Sequence, residues 1–257
     1  MNEIIPIYKP PGLSPLDLIR LFKKTFPLYK NEKISPAGRL DPMAEGLLLL
    51  LVGKANKERN AFLSLDKWYE FSLLLGVTTD TYDLLGKVTA TNYTYQSNEI
   101  LSKVSDNLSR YAGIQQQEYP PYSSKPVQGK PLFAWARQNR LHEISIPSNK
   151  IEIKNLSILS MSSINTQEIL THIIRSIESV NGDFRQKEII GDWKNALQSS
   201  PQELLVINFS ANVTSGTYIR SLCNTLGGEI GVGGIAYSIK RTRIGTYKLD
   251  DAVVLTY

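Results

Sequence analysis

Six consecutive apolar residues, Leu47 to Val52, stand between Gly46 and Gly53. A run of this length is too short for a typical helix, and its lack of alternating polar residues is typical of a buried strand. We therefore predict that the chain folds around this strand. The run is also the longest apolar stretch in the sequence. Because a bilayer span needs roughly 20 such residues, we expect no membrane-spanning segment.

The composition predicts a globular protein without thiol or metal chemistry. The chain has 257 residues, 42% hydrophobic and 21% charged, enough for a core in one or two domains. The single cysteine, Cys223, excludes an internal disulfide, and two histidines leave almost no material for a zinc cluster or a Ser-His-Asp triad. We expect no metal and no cofactor, so carboxylates, tyrosines and cations must carry any reaction. The first residues lack the layout of a signal peptide, so we expect a cytoplasmic protein.

The net charge of +5 is unevenly distributed. Residues 1–60 hold ten Lys/Arg against six Asp/Glu, residues 103–140 six against two, and residues 206–249 five against one, so each block has a net charge of +4. Three basic blocks that converge on one face would form a phosphate-binding surface. The alternative is that these are ordinary solvated lysines and arginines.

Hydrophobic periodicity predicts strands and helices in irregular alternation, which is typical of an α+β fold. We predict strands at 3–8, 47–52, 68–75, 150–160 and 204–213. We predict helices at about 15–26, 54–63, 97–112, 132–140, 166–180 and 217–228, the third with Ser97 as its N-cap. Residues 115–130, rich in Pro, Gly and Ser, are predicted to form an irregular loop. A single domain over 1–257, with a peripheral insertion at 161–200, is the simplest division.

The most unusual segment is the decapeptide at 37–46, AGRLDPMAEG, just before the predicted buried strand. Pro42 disfavours helical backbone angles at Asp41, while its own fixed φ suits the first position of a helical turn. Asp41 is therefore held rigidly where a loop meets a turn. The alternative is that Asp41 is a simple helix cap.

Six further blocks favour a catalytic role for Asp41. In chain order they are KPPGLS at 9–14, KWY at 67–69, TDTYD at 79–83, YPPYSSK at 119–125, GTYIR at 216–220 and IKRT at 239–242. Together with the Asp41 segment they resemble the pseudouridine synthases of the TruB type, over positions 8–252. Ordered blocks of this kind are far more specific than any one of them alone.

The resemblance implies a mixed, mostly antiparallel central sheet, flanked by helices and crossed by an RNA-binding cleft. It also implies the reaction: uracil is detached from its ribose, rotated and rejoined through carbon, so substrate and product are isomers. By position in the family pattern, Asp41 is the catalytic aspartate, Arg220 pairs with it, and Tyr69 stacks on the target base and is a candidate proton acceptor. Tyr218 and Ile239 fall where the family lines the uracil pocket.

Physical chemistry agrees with these roles. A carboxylate beside an arginine stays ionised and oriented at neutral pH, as a nucleophile requires, whether it attacks the base ring or the sugar. A uridine in folded RNA must be extruded, and stacking on aromatic rings such as Tyr69 and Tyr218 offsets that cost. The plainer alternatives are a core tyrosine for Tyr69 and an ordinary surface ion pair for Arg220.

Further candidates for substrate binding surround these residues. Lys9 and Lys125 sit beside prolines that stiffen their loops and would present each lysine to a phosphate, unless both are simply solvated. Lys67 precedes the predicted base platform directly. Asp83 either helps to organise the active site or caps a turn.

Pro36 departs from the family pattern. In members that modify the T loop, a histidine usually lies five residues before the aspartate and fills the gap left by the flipped base; here that position is Pro36. This puts target choice or efficiency in doubt, but not the nucleophile. The GRLD motif at 38–41 also looks like that of the synthases of the small ribosomal subunit. We take Arg39 as a candidate to replace the missing histidine with a phosphate or base contact.

Length is the second departure. Many relatives continue into a small C-terminal RNA-binding domain, which we expect this chain to lack, so RNA affinity would come from the catalytic domain alone. Residues 161–200 hold four Lys/Arg against five Asp/Glu, a balance that does not identify an RNA-binding arm.

We predict an RNA pseudouridine synthase whose target is uridine 55 in the T loop of tRNA. Its partner would be the tRNA T arm, with no membrane and no metal, and it would act as a monomer. One alternative is a non-catalytic RNA-binding or tRNA-chaperone protein with this fold, and another is a synthase with a different RNA target. A third is a glycoside hydrolase, which needs a second carboxylate about 5–9 Å from Asp41, and the sequence nominates none.

Overall fold

The computed structural model describes residues 1–182 and 184–255. Its strands are β1 (Asn2–Lys9), β2 (Ile34–Pro36), β3 (Glu45–Gly53), β4 (Lys67–Leu75), β5 (Val77–Thr79), β6 (Val88–Thr91), β7 (Gly113–Glu118), β8 (Pro126–Val127), β9 (Lys130–Pro131), β10 (Ser148–Asn165), β11 (Glu203–Val213), β12 (Gly234–Ile244) and β13 (Tyr247–Lys248). Its helices are α1 (Pro15–Thr25), α2 (Arg59–Ser64), α3 (Ser97–Asn107), α4 (Leu132–Arg137), α5 (Thr166–Glu178), α6 (Gln186–Gln198) and α7 (Ile219–Ile230).

A large central sheet organises the described part of the chain. Its strands follow the order β1-β3-β12-β4-β11-β10-β7, with β2 added beside β3 and β13 beside β12. The pairing of β12 with β3 is parallel, and the other pairings in this sheet are antiparallel. The predicted α+β class, with a mixed and mostly antiparallel central sheet, is confirmed.

The apolar run of β3 is buried on both faces. Leu48 and Leu50 face α1, where they pack in one cluster with Phe22. Their neighbours point the other way, into a second cluster that contains Leu47, Leu49, Leu51 and Ile244. Each of the five leucines of the run has no solvent exposure. Burial of one such side chain contributes about 1.5–3 kcal/mol, so the run anchors this half of the sheet.

Helices cover both faces of the rest of the sheet. On one face, α7 and α3 pack against residues such as Phe71 and Phe209, whose rings stack at 5.2 Å. On the other face, α5 and α6 bury Leu74 and Ile235 beneath Trp193. Among the described residues, no helix is long and apolar enough to cross a membrane.

Several local predictions need correction. Residues 115–130 are not an irregular loop throughout, because β7 pairs with β10 over Gly113–Glu118 and β8 and β9 form a small hairpin. The predicted helix at 54–63 is a 3-10 turn at Lys54–Glu58 followed by α2. Gln96, not Ser97, is the N-cap of α3. The sequence analysis also missed β12 and α6. The single-domain division and the peripheral insertion stay predictions; within 161–200 the structure has the end of β10, then α5 and α6.

Candidate active site

Asp41 lies on a short, tightly held loop between β2 and β3. The loop closes in a turn in which the Ala44 amide donates to the Asp41 carbonyl at 3.0 Å. A second bond, from the Gly12 amide to the Pro42 carbonyl at 2.8 Å, ties the loop to the turn after β1. Leu40 and Met43 are buried on either side of the aspartate. The backbone is thus fixed while 36% of the Asp41 side chain stays exposed.

Arg220 reaches Asp41 from the first turn of α7. A turn at Gly216, where φ is +87°, directs the chain into this helix, and Thr217 braces it with a bond to the Thr214 carbonyl at 2.9 Å. The Arg220 side chain is 3% exposed, and its Nε donates to Asp41 Oδ2 at 2.7 Å. The structure therefore brings together two residues 179 positions apart in the sequence.

Asp83 lies on the core side of the same guanidinium. Its Oδ2 is 3.5 Å from Arg220 Nε, and its Oδ1 accepts from the Thr81 hydroxyl at 2.5 Å and the Leu85 amide at 2.9 Å. Asp83 thus closes a turn and also orients Arg220. Burial raises the pKa of Asp83 to about 6, against the lowering effect of Arg220. Burial acts to lower the pKa of Arg220, but Asp41 and Asp83 outweigh it and raise that pKa, so the guanidinium stays charged.

A cavity of about 340 Å³ opens over Asp41. Six of the predicted site residues line it: Arg39, Asp41, Lys67, Tyr69, Tyr218 and Ile239. Among its described lining residues, Asp41 is the one that bears a carboxylate. Asp83 does not line this cavity, so the cavity does not offer the pair of flanking carboxylates that a glycoside hydrolase needs.

Tyr69 projects from β4 into the cavity wall and is 9% exposed. Its hydroxyl accepts from Arg241 Nη1 at 3.4 Å. Arg241 is itself buried and donates to the carbonyls of Leu47 and Arg39 at 2.8 and 3.1 Å. Its Nη2 atom has no hydrogen-bond partner in the described part of the chain. A buried cation therefore stands directly beside the proposed base platform.

Tyr218 and Ile239 also line the cavity, and their role in binding uracil stays a prediction. Gln117 of β7 fixes Tyr218 by two backbone bonds: it accepts from the Tyr218 amide at 2.7 Å and donates to its carbonyl at 3.1 Å. Tyr119 packs edge-on against Tyr218 with ring centres 5.6 Å apart. Burial, aided by the negative charge of Asp41, raises the pKa of Tyr218, so its hydroxyl keeps its proton at neutral pH.

Lys9 does not reach a phosphate, contrary to its predicted role. Its side chain has no solvent exposure, and its ammonium donates to the carbonyls of Pro10, Pro42 and Ala44 at 2.8, 3.3 and 2.5 Å. Burial lowers the pKa of Lys9 to about 7, against the opposing pull of Asp41. The lysine thus fastens the Asp41 loop from inside the protein.

Lys67 has a similar arrangement at the cavity wall. It is 6% exposed, and its ammonium donates to the carbonyls of Leu63 and Leu65 at 2.6 and 2.5 Å, at the end of α2. Burial lowers its pKa to about 8. Its contacts are with the protein backbone, and direct substrate binding by Lys67 stays a prediction.

The other predicted positions divide into exposed and peripheral residues. Arg39 is exposed at the cavity. Lys125 lies outside this cavity lining, with its ammonium 4.9 Å from the centre of the Tyr119 ring. Pro36 is paired within the sheet and also does not line the cavity, although Arg59, which does, donates to its carbonyl at 3.3 Å. Substrate contacts by these residues stay predictions.

Arg241 and Tyr122 are site residues to which the sequence motifs alone assign no role. Arg241 stood in the IKRT block but carried no signal of burial. The carbonyl of Tyr122 accepts from Arg220 Nη2 at 3.4 Å, while that of Thr81 accepts from Nη1 at 2.6 Å. Because every residue has a backbone carbonyl, the amino-acid type does not indicate which carbonyls will accept a hydrogen bond from Arg220.

Two of the basic blocks meet at the cavity. Residues 1–60 supply Arg39 and Arg59, and residues 206–249 supply Arg241. Within the ranges that the structure describes, no group of three His, Cys, Asp or Glu side chains is placed to hold a metal ion.

Comparison with known proteins agrees with the motifs. The family model described as TruB family pseudouridylate synthase (N terminal domain) matches residues 27–184. A protein named tRNA pseudouridine synthase B from Clostridium kluyveri is 30% identical over 257 residues, 100% of this chain and 72% of that protein. One of the same name from Malacoplasma penetrans is 30% identical over 253 residues, 98% of this chain and 88% of that protein.

Solved structures share the fold. A chain in the crystal structure of a Cbf5-Nop10-Gar1 complex superimposes with a TM-score of 0.58 at 20% identity, over 98% of this chain and 52% of that chain. The present chain thus spans about half the length of that solved chain. On the match of the family model and of a relative aligned over the whole of this chain, the chain belongs to the TruB family of pseudouridylate synthases.

Proposed function

We propose that this protein isomerises a uridine of tRNA to pseudouridine. One observation carries the proposal: the part-exposed Asp41 carboxylate lies 2.7 Å from the buried Arg220 guanidinium, under a cavity walled by Tyr69 and Tyr218. Family membership and the shared name of the relatives, tRNA pseudouridine synthase B, support it.

The reaction breaks the N1–C1′ glycosidic bond and forms a C5–C1′ bond. The proton lost from C5 is balanced by one gained at N1, so the conversion involves no net oxidation or reduction. Asp41, paired with Arg220, attacks as the nucleophile and leaves again as a carboxylate. Ionisation is needed whether the attack is on the sugar or on the base ring. Tyr69, with its hydroxyl held by Arg241, is our candidate to relay the C5 proton.

The cavity suits an extruded base. Flipping a uridine from its stack costs a few kcal/mol, which contacts to the base face and edge can offset. The rings of Tyr69 and Tyr218 offer such contacts, and the buried Ile239 gives an apolar surface between polar groups. Arg39 and Arg59 provide positive charge for the flanking phosphates.

We further propose uridine 55 of the T loop as the target and a monomer bound to the tRNA T arm as the active form. The cytoplasm, as a site of tRNA, is the expected location. The position of Pro36 in the sheet leaves Arg39 as our candidate to fill the gap left by the flipped base.

The direct test is incubation of the purified protein with an unmodified tRNA transcript, followed by position-resolved detection of pseudouridine. We expect modification at a single T-loop position and none with Asp41→Asn. An Asp41→Asn variant that works at the wild-type rate would contradict the proposal. Binding of tRNA without single-turnover product would favour the non-catalytic alternative.

A further inference from the structure

A second cavity, of about 500 Å³, adjoins the one described above. Asp41, Tyr122 and Ser124 line both cavities, so the two meet at the carboxylate. Arg220 and Asp83 also line the second cavity, so it lies against the ion pair of Asp41 with Arg220. It is a separate space that shares the Asp41 carboxylate with the first cavity.

Part of its wall comes from residues 161–200, the segment that we predict to be an insertion. Phe184 and Arg185, which precede α6, line the cavity beside Phe133 and Arg137 of α4. Arg185 is anchored by an ion pair with Asp80 at 2.8 Å. It adopts φ of +61°, in the left-handed region that a non-glycine residue rarely occupies. A backbone conformation of this kind is retained only when surrounding contacts enforce it.

The wall alternates aromatic rings with guanidinium planes. The Arg137 guanidinium carbon lies 5.8 Å from the ring centres of both Phe133 and Phe184. The Arg185 guanidinium carbon lies 4.8 Å from the ring centre of Tyr122. Unpaired bases bind proteins by stacking on aromatic rings and on arginine planes, while the positive charge attracts the phosphates. The cavity thus has the chemistry of a nucleotide-binding site.

We propose that this cavity binds the base of the nucleotide next to the target uridine, and that Phe184 and Arg185 of the inserted segment recognise it. The proposal rests on the proposed function, since a neighbour exists only if a uridine occupies the first cavity. Tyr122 lines both cavities, and its ring is held by Arg185, so a nucleotide bonded to a uridine in the first cavity has this ring within its surroundings. The inserted helices would then contribute to substrate choice although their net charge is close to zero.

The test is a double-mutant cycle on RNA and protein. The RNA is a T-arm hairpin with the target uridine, in three forms: intact, abasic at the 3′ neighbour, and abasic at the 5′ neighbour. The protein is wild type or Phe184→Ala, and kcat/KM for pseudouridine formation is measured. In wild type, one abasic RNA should lose about tenfold or more in kcat/KM, as expected for one stacked base. With Phe184→Ala, kcat/KM on the intact RNA should fall by a similar factor. The additional fall caused by the abasic site, which we call the abasic penalty, should then nearly vanish.

Two controls accompany the cycle. Phe184→Tyr keeps a stacking ring and should keep the abasic penalty. Phe26→Ala removes a part-exposed aromatic ring outside both cavities and should leave every value unchanged. Thermal unfolding of each variant shows whether it is folded.

The outcomes separate the two proposals. Wild-type turnover with no penalty at either neighbour, or with the same penalty in Phe184→Ala, overturns the subsite while leaving the proposed function intact. A wild-type protein that makes no pseudouridine on intact RNA overturns both.

Discussion

Arg220 holds two carboxylates of opposite exposure. Asp41 is 36% exposed on the cavity side and Asp83 4% exposed on the core side. Removal of one partner from a buried ion pair costs about 3–5 kcal/mol, because the remaining charge is buried without compensation. We therefore expect Arg220→Met to lose that much stability in urea unfolding at neutral pH, together with turnover.

The matched control for Arg220 is the double variant Arg220→Met/Asp83→Asn. Without the buried charge, it should recover most of the lost free energy of unfolding and none of the activity. If Arg220→Met alone had the stability of the wild type, the ion pairs of Arg220 with Asp41 and Asp83 would not stabilise the fold as we expect.

Asp83 gives the protein a defined pH dependence. Its carboxyl has a pKa of about 6 in the folded protein against a reference value of 3.8. Between these values the folded state binds more protons than the unfolded state, so the contribution of Asp83 to stability falls as the pH rises from about 4 to about 6. We expect the difference in free energy of unfolding between wild type and Asp83→Asn to change over this window and to level off above it. A difference that is constant from pH 4 to pH 8 would show that the pKa is not raised.

At the scale of single elements, Lys9 links the end of β1 to the Asp41 loop. Its ammonium joins three backbone carbonyls on the two segments. Lys9→Met leaves these carbonyls without that donor, and the Asp41 loop loses its internal anchor. A displacement of about 1 Å at a reacting group can cost about 100-fold in rate, and we expect a fall in kcat of that order.

Lys24→Met, which removes an exposed lysine from α1, is the control for Lys9. It should match wild type in single-turnover rate and in thermal unfolding. A Lys9→Met variant with wild-type kcat would mean that the loop holds its position through the other bonds alone.

The strands and helices also show which elements the pattern of apolar side chains can predict. β3 was predicted correctly because six apolar residues fit few other structures. β7 was missed because its sequence, GIQQQE, exposes every second residue and buries none of them fully, and β10 stabilises it through the backbone ladder instead. The helix α6 and the strand β12 were missed as well, and both pack on faces that exist only once the sheet has formed.

For the whole molecule, the convergence of basic blocks predicts a salt-dependent affinity for tRNA. Arg39→Ala and Arg59→Ala should each make the negative slope of log K against log salt shallower by about one, since each removes about one phosphate contact. Asp41→Ala should leave the slope unchanged, because the slope counts phosphates neutralised by cations and this substitution removes no cation. Titration of fluorescent tRNA over a range of salt concentrations gives these slopes.

Lys57→Ala is the matched control for the salt series, since this exposed lysine lies in the same basic block but outside both cavities. It should keep the wild-type slope. Equal slopes for all of these variants would mean that the cavity arginines do not contact the RNA backbone.

The sequence by itself determined the α+β class and the buried strand β3, because these depend on local apolar pattern, while the pairing of Asp41 with Arg220 was implied by the resemblance of its motifs to the TruB family. Only the tertiary structure decided that Lys9 is internal, that Arg241 stands beside Tyr69, and that Phe184 and Arg185 line a cavity together with Asp41. Lysine and arginine occur on surfaces and in interiors alike, and their burial depends on which distant segments supply carbonyls and carboxylates around them. That information arises only when the strands pair.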